Sequence, residues 1–398
     1  MKMMYRWKRL KINMVLNGSK RQFKYWVIIV LLTLPYLKTG FFQQLGMLDL
    51  IIDLWKIISF IVIFVWYFFV RRKVSKIIVF FGIMEGYLII NTMAHGGNLY
   101  DCAKSAFSIL GIALLYDMLE DFKIEFLNAQ LFCFEIMIYI NLFTEIAFPN
   151  GLYRGTAYFA NWFLGYYNTH TRYFIPALMI AYIYLNYSGK RARAYLLTAA
   201  IFLSAVLVWS GGVIAAIGGM AITYILFKNR TSVFNYYNYW LIHLIFFVLI
   251  IVMKMQNYFR WLIDGVLGKW NSLAGRMAVW ETDLWLIKKS FFVGYGLEYD
   301  VVRRGYFFWA VHSHNQLLEI LHQGGIIYLI LMMIIIIMVG KRLSRYKNNE
   351  IVKVISLSFL GWCIHSLVEP QIAPFLMGMF IIAYHSECYV VEKEERKS

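Results

Sequence analysis

The chain has 398 residues, of which 61% are hydrophobic and 19% aromatic. Apolar runs of membrane-spanning length recur along it, so its class is that of a polytopic α-helical membrane protein, not a soluble one. The net charge of +17 comes from basic clusters that lie between these runs or at the termini. That is the positive-inside pattern, so we expect membrane lipids as partners and no nucleic acid.

The apolar runs predict an all-α fold with about twelve transmembrane helices. They lie near residues 25–45, 48–70, 77–93, 105–118, 127–147, 171–188, 194–210, 212–227, 238–254, 324–340, 350–366 and 372–390. With the basic clusters inside, both termini are cytoplasmic. Two long loops then lie outside, residues 149–170 and residues 255–323, and the second connects helices 9 and 10. No linker divides the chain, so residues 1–398 are treated as a single membrane domain.

The first long loop ends in a polar run that leads into the sixth predicted span. Arg172 lies at this boundary and is a candidate ligand for an anion. The alternative is an interfacial arginine whose charge reaches back to water. Asn168 and His170 precede it and are candidates for contact with the same substrate.

The second long loop begins with an amphipathic segment. Apolar residues recur there at steps of four and three, which predicts a helix at the membrane surface. They are Leu273, Met277, Trp280, Leu284 and Ile287. Gly275 and Arg276 open this helix in the prediction, and an arginine near a helix N-terminus suits a phosphate or diphosphate. A solvated or headgroup-bound arginine is the alternative.

The rest of this loop carries a turn and a candidate base. Tyr295 stands between two glycines, which predicts a tight turn or a close approach of a ligand to the backbone. His314 and Asn315 precede an apolar helix predicted to begin near Gly324, where a histidine can act as a general base for a hydroxyl. Glu319 lies one turn after Asn315 and is predicted to orient that base or to cap the helix.

A metal site is a further interpretation of the histidines. His312, His314 and His322 are close in sequence, but no cysteine or clear acidic ligand set accompanies them. We therefore expect no metal. Glu369 is predicted to lie in the last outer turn, facing outside near the large loop.

In order and spacing, these residues resemble the signature of the O-antigen polymerase and O-antigen ligase family of bacterial envelope enzymes. The run is Gly275-Arg276, Trp280, Gly294-Tyr295-Gly296, His314-Asn315 and Gly324-Gly325. Leu164-Gly165 with Asn168, and His365-Ser366-Leu367 with Glu369, are similar to flanking features of the family. The resemblance covers roughly residues 160 to 375.

The resemblance implies a fold like that of C-type glycosyltransferases and an enzyme with neither metal nor cofactor. It implies a multi-pass protein of the bacterial cytoplasmic (inner) membrane that takes an undecaprenyl-diphosphate-linked oligosaccharide on the outer face. Arg276 would bind the diphosphate, and His314 would position or deprotonate the acceptor hydroxyl. The candidates for substrate binding are Arg172, Asn168, His170, Trp280, Tyr295, Asn315, Glu319, Arg303, Arg304 and Glu369. Flippase and chain-length regulator proteins are implied partners.

The chain departs from the family pattern at the end of one span. Members often carry Ser-Arg where this chain has Ser210-Gly211-Gly212, so we expect Arg172 or the pair Arg303-Arg304 to substitute. The predicted function is a polymerase that joins lipid-linked repeat units into capsular, exopolysaccharide or O-antigen chains. A ligase that moves the glycan to another acceptor is the alternative with the same chemistry. A polysaccharide transporter or flippase is the alternative from another class and would carry paired half-repeats.

Overall fold

The computed structural model describes residues 22–71, 73–118, 123–155, 160–261, 270–298, 305 and 312–395. Over these residues the fold is all-helical, which confirms the predicted class. Extended pairing in the described part is limited to two isolated bridges, Tyr153 with Asn161 and Trp162 with Gly165. Both bridges lie in the first long loop and fold its described part back on itself.

The helices follow the apolar runs of the sequence. In chain order they are α1 (Gln22–Leu37), α2 (Gly40–Gln43), α3 (Met47–Val70), α4 (Lys76–Ala94), α5 (Leu99–Asp117), α6 (Lys123–Ala147), α7 (Thr171–Ser188), α8 (Arg191–Leu207), α9 (Gly211–Phe227), α10 (Tyr236–Phe247, continued to Val252), α11 (Trp270–Lys289), α12 (Gln316–Leu343), α13 (Glu350–Ser366), α14 (Pro374–Tyr384) and α15 (Ser386–Glu395). Each of the twelve predicted runs coincides with one or two of these helices.

Four helices of the described chain are long and apolar enough to cross a membrane. They are Lys76–Ala94, Leu99–Asp117, Lys123–Ala147 and Gln316–Tyr346. Shorter apolar helices occupy Gln22–Leu37, Gly211–Phe227, Tyr236–Val252 and Pro374–Tyr384. These helices indicate a membrane-associated protein, and the twelve-span topology stays a prediction.

The main apolar core lies between α5, α6, α7, α13 and α14. Phe375, in the first turn of α14, packs edge-on against Phe134 of α6 at 5.2 Å between ring centroids. An edge-to-face aromatic pair contributes about 0.5–1.5 kcal/mol. This packing fixes the start of α14 and therefore the end of the short segment of residues 367–373, which carries Glu369.

Polar and basic segments gather at opposite ends of the helices. At one end, which we call the site end, the amide of Gln371 donates to the carbonyl of Asn168 and joins two of the predicted outer segments. At the other end, Lys353 of α13 donates to the carbonyl of Lys228, which follows α9. The side of the membrane on which each end lies stays a prediction.

α12 consists of two helical segments that meet at the non-helical Gly325, so its apolar segment begins at the glycines, as predicted. The sequence did not predict the segment before it, which begins at Gln316 and is capped by Asn315: the side-chain oxygen of Asn315 accepts from the backbone N–H groups of Leu317 and Leu318. The helix predicted to open at Gly275-Arg276 is already helical at Trp270, where the described residues resume, so Arg276 lies inside α11 and not at its start.

Gly324 and Gly325 therefore lie inside α12, at a kink. Gly325 has a φ of 60°, and a Cβ there would lie 2.3 Å from the backbone oxygen of Phe292. The turn around Tyr295 docks at this kink: Tyr295 donates to the carbonyl of His322, and Ile326 donates to that of Phe291. Gly325 is required by the close approach of this turn, whereas a Cβ on Gly324 would meet the side chain of Tyr328.

Candidate functional site

Glu369 lies at the centre of a polar cluster at the site end. One carboxylate oxygen, Oε1, lies 3.1 Å from Nε2 of His312, and the other, Oε2, lies 3.2 Å from Nδ1 of His314. Arg276 of α11 places a guanidinium nitrogen 3.8 Å from Oε2. The predicted base and the predicted anion ligand thus meet at one buried carboxylate, although they lie on different elements.

Packing of α11 against α10 and α12 places Arg276. Trp280, one turn further along α11, is 2% exposed and lies in an apolar cluster with Phe247, Ile251 and Leu318. The indole is therefore an anchor for α11 in this structure. Its burial fixes the helix face on which the guanidinium of Arg276 is carried, while the Arg276 side chain itself is 20% exposed.

The backbone before α12 is held on both sides of His314. Oε2 of Glu319 accepts from both the backbone N–H and the hydroxyl of Ser313, each at 2.7 Å. Asn315 caps α12 and also donates from its amide to the carbonyl of Leu367, at 3.1 Å. Between these fixed points His314 has a φ of 50°, a conformation uncommon for residues other than glycine.

Burial and charge set the protonation of the cluster. Burial alone would raise the pKa of Glu369, but hydrogen bonds from His312 and His314 outweigh it and hold that pKa well below its usual range. Burial lowers the pKa of His314 below the ordinary histidine value, although its hydrogen bond to Glu369 opposes the shift. Around neutral pH the arrangement is therefore an anionic carboxylate with a neutral His314, which carries its proton on Nδ1 and its lone pair on Nε2.

Arg172 enters the same region from the first turn of α7. Its Nε donates to the side-chain oxygen of Gln371 at 3.0 Å, and Gln371 also donates to the backbone of Asn168. The hydroxyl of Ser210 in turn donates to the side-chain oxygen of Asn168 at 3.1 Å. Arg172 and Asn168 are thus tied to the segment of residues 367–373, two residues beyond Glu369.

The start of α9, where the resemblance leads one to expect an arginine, closes against the site. A Cβ on Gly212 would lie 3.2 Å from the ring of His365, which is fully buried in α13. The charges of Arg172, Arg276 and Glu369 all act on His365. Arg172 and Arg276 carry two positive charges and Glu369 one negative charge, so these three groups are net positive.

Some candidate residues do not join this cluster. His170 is fully buried within the first long loop, where it contacts the carbonyl of Gly165 and lies 3.4 Å from Glu145. Burial lowers the pKa of His170 to about 4, so it is neutral. Tyr295 donates to the carbonyl of Leu286 and stacks on His322. The predicted ligands Arg303 and Arg304 lie outside the described residues.

Three residues of the cluster could hold a metal ion. One ligand atom from each of His312, His314 and Glu369 lies within 4.8 Å of the others, a set that suits zinc or iron. The sequence showed no acidic ligand beside the histidines, but the fold supplies Glu369. However, Nδ1 of His312 accepts the backbone N–H of His314, so Nε2 carries the proton. A metal on that Nε2 would break this hydrogen bond, so the hydrogen bonding favours Nε2 of His312 as a donor to Glu369 over Nε2 as a metal ligand.

The main residue that sequence reasoning missed is Gln371. It is fully buried and connects Arg172, Asn168 and, through its backbone N–H, the side chain of Gln316. A neutral amide in a loop carries no periodicity or charge pattern. Its one signal is its position two residues after Glu369 in a short polar turn.

No protein-family model matches the chain, and no curated protein matches it either.

Proposed function

We propose that the protein is a metal-independent glycosyltransferase that polymerises undecaprenyl-diphosphate-linked oligosaccharide repeat units at the outer face of a bacterial cytoplasmic membrane. The observation that carries the proposal is the convergence of Arg276 and His314 on Glu369. A carboxylate, a base and a cation from separate elements meet here in one cluster. The resemblance of the motifs supplies the substrate class.

The cations suit the departing group. When the anomeric carbon of the donor leaves its carrier, the bond to the diphosphate oxygen breaks and undecaprenyl diphosphate takes the electron pair. Negative charge therefore develops on the diphosphate, and fixed guanidinium groups stabilise it without a metal. Among the residues that the structure describes, Arg276 and Arg172 are the candidates for stabilising this charge. Gln371 holds Arg172 in place.

The base suits the acceptor. A neutral sugar hydroxyl must lose its proton as its oxygen bonds to the anomeric carbon. His314 donates from Nδ1 to Glu369, so its Nε2 can take that proton, and the resulting imidazolium is stabilised by the adjacent carboxylate. Asn315 and Glu319 would act indirectly, by holding the backbone on either side of His314.

The test is glycan chain length in cells whose own copy is deleted and replaced by variants at matched membrane abundance. Arg276→Ala and His314→Ala should each cut polymer by at least about 100-fold and leave single repeat units on lipid. His95→Ala and Arg230→Ala are matched controls, since both side chains are exposed away from the cluster, and they should give wild-type polymer.

Three outcomes separate the possible functions. Single repeat units on lipid in the deletion and in both site variants support the polymerase. Long chains that remain on lipid without transfer point to the ligase. Normal glycan in the deletion contradicts a glycosyltransferase of this kind and favours the transporter.

A further inference from the structure

His312 touches both parts of the proposed machinery but has no role in it so far. Its Nδ1 accepts the backbone N–H of His314 at 3.2 Å, and its Nε2 donates to Oε1 of Glu369 at 3.1 Å. The two imidazole rings pack edge to face, with centroids 4.3 Å apart. One imidazole ring therefore connects the backbone of the base to the carboxylate that orients it.

The backbone conformation of His314 explains why this connection matters. A φ of 50° is disfavoured for a β-carbon-bearing residue and persists only where neighbours hold it. The hydrogen bond from His314 N–H to a side chain two residues earlier is the geometry of an Asx turn, with an imidazole nitrogen in place of an amide oxygen. His312 is thus a local clamp on the left-handed residue.

The carboxylate of Glu369 must also be held in one orientation. Its Oε2 serves His314 and Arg276, so rotation of the carboxylate would break the contact that fixes the tautomer of His314. His312 occupies the opposite oxygen and opposes that rotation. Its side chain is 24% exposed, compared with 9% for His314, so it lies on the open side of the cluster.

We propose that His312 is a positioning residue for glycosyl transfer: it clamps the backbone of His314 and the carboxylate of Glu369 together, so that Nε2 of His314 faces the acceptor hydroxyl. The proposal rests on the proposed function. His312 itself touches neither the donor nor the acceptor, so it acts on turnover and not on substrate binding.

A pair of near-isosteric substitutions separates the two hydrogen bonds. In His312→Asn, the amide oxygen can replace Nδ1 and accept the N–H of His314, but the side chain is too short to reach Glu369. In His312→Gln, the amide nitrogen can replace Nε2 and donate to Glu369, but the turn is lost. His312→Ala lacks both hydrogen bonds, and His95→Ala is the control for loss of an exposed histidine.

The measurement is kcat and KM for chain elongation by the purified protein in lipid bilayers. The substrate is the lipid-linked repeat unit that accumulates in cells lacking the protein. His312→Ala should lower kcat about 100-fold, and His312→Asn and His312→Gln about tenfold each, with KM within about twofold of wild type. In a His314→Ala background, His312→Ala should cause no further loss, because the clamp then has no base to position.

Four results would overturn the proposal. His312→Ala could keep most of its kcat while His314→Ala is inactive, in which case His312 is idle. All three variants could lose activity in parallel with their melting temperatures, in which case the role is structural. Chelation could abolish activity and zinc restore it, while His312→Asn and His312→Gln are no more active than His312→Ala. In that case His312 is a metal ligand. A wild type that forms no glycosidic bond would remove the proposed function, and this role with it.

Discussion

At the scale of single residues, Glu369 determines what its neighbours can do. It is buried, yet hydrogen bonds from two histidines keep its pKa well below the usual range, so it stays ionised. An ionised carboxylate accepts only, so the facing nitrogens of His312 and His314 must donate. The buried charge of Glu369 thus fixes the tautomer of His314 that a base needs.

The pKa of His314 predicts the pH dependence of turnover. Burial lowers it, the hydrogen bond to Glu369 and the charge of Glu369 raise it, and the charge of Arg276 lowers it further. The base is active when neutral, so kcat should stay level on acidification down to about pH 6.5, the ordinary histidine pKa, and fall only below it. Measuring kcat from pH 5 to about 8.5 tests this. An acid limb centred above the ordinary histidine pKa would contradict it.

The Glu369→Gln variant makes the pH dependence of kcat a more specific test. Removing the carboxylate removes the contribution that raises the pKa of His314, so the acid limb should move to still lower pH. At the same time the plateau kcat should fall by about 10- to 100-fold, because the amide cannot accept from both histidines. A limb that moves to higher pH would show that another group is the base.

Sequence reasoning found the chemically typical residues of the site but not their partners. Arg276 and His314 were identified by type and by spacing, since a cation and a base carry recognisable chemistry. Their contacts with Glu369 join residues far apart in the chain, and only the fold brings them together. His312 was considered only as a metal ligand, because its hydrogen bond with the backbone of His314 depends on the backbone conformation, which the sequence does not reveal.

At the scale of elements, the ends of helices set the geometry of the site. The prediction placed the start of the apolar helix at the glycines, and the apolar segment of α12 does begin there, after the non-helical Gly325. The prediction lacked the segment before it, which begins at Gln316 and is capped by the side chain of Asn315. This cap sets the position of His314, which immediately precedes it. Hydropathy located the apolar segment, whereas the polar segment is marked by the hydrogen bonding of its cap.

The link between α7 and the segment of residues 367–373 predicts the behaviour of Gln371. Gln371→Glu keeps the oxygen that accepts from Arg172 but adds a charge that neutralises this cation. Donor KM should rise about tenfold while kcat changes by less than about threefold, since Arg172 would bind the diphosphate in the ground state as well. Gln44→Ala, an exposed glutamine at the end of α2, is the control. An unchanged KM would mean that Arg172 does not meet the donor.

At the scale of the whole molecule, the exposed surface agrees with a lipid environment. Large apolar side chains such as Leu54, Ile58 and Ile61 of α3 are more than half exposed. In water such a continuous apolar face would promote aggregation, whereas in a bilayer it is the expected surface. The twelve apolar runs were visible in the sequence because span length and hydropathy are properties of single segments.

The arrangement of those helices around the site was not visible. It depends on packing between segments distant in the chain, such as the apolar cluster of Trp280, Phe247 and Leu318 that holds α11 beside α10 and α12. The sequence indicated which loops carry the polar residues, but not that Arg276 and His314 contact the same carboxylate.

The most direct test of the account is a glycosyl-transfer assay with the purified protein in lipid bilayers and lipid-linked repeat units as the sole sugar source. The account predicts glycan polymer with one undecaprenyl diphosphate released for each new glycosidic bond. It also predicts that His314→Ala abolishes both products, while His95→Ala forms them at the wild-type rate. Absence of bond formation by the wild type, or equal polymer from His314→Ala, would contradict it.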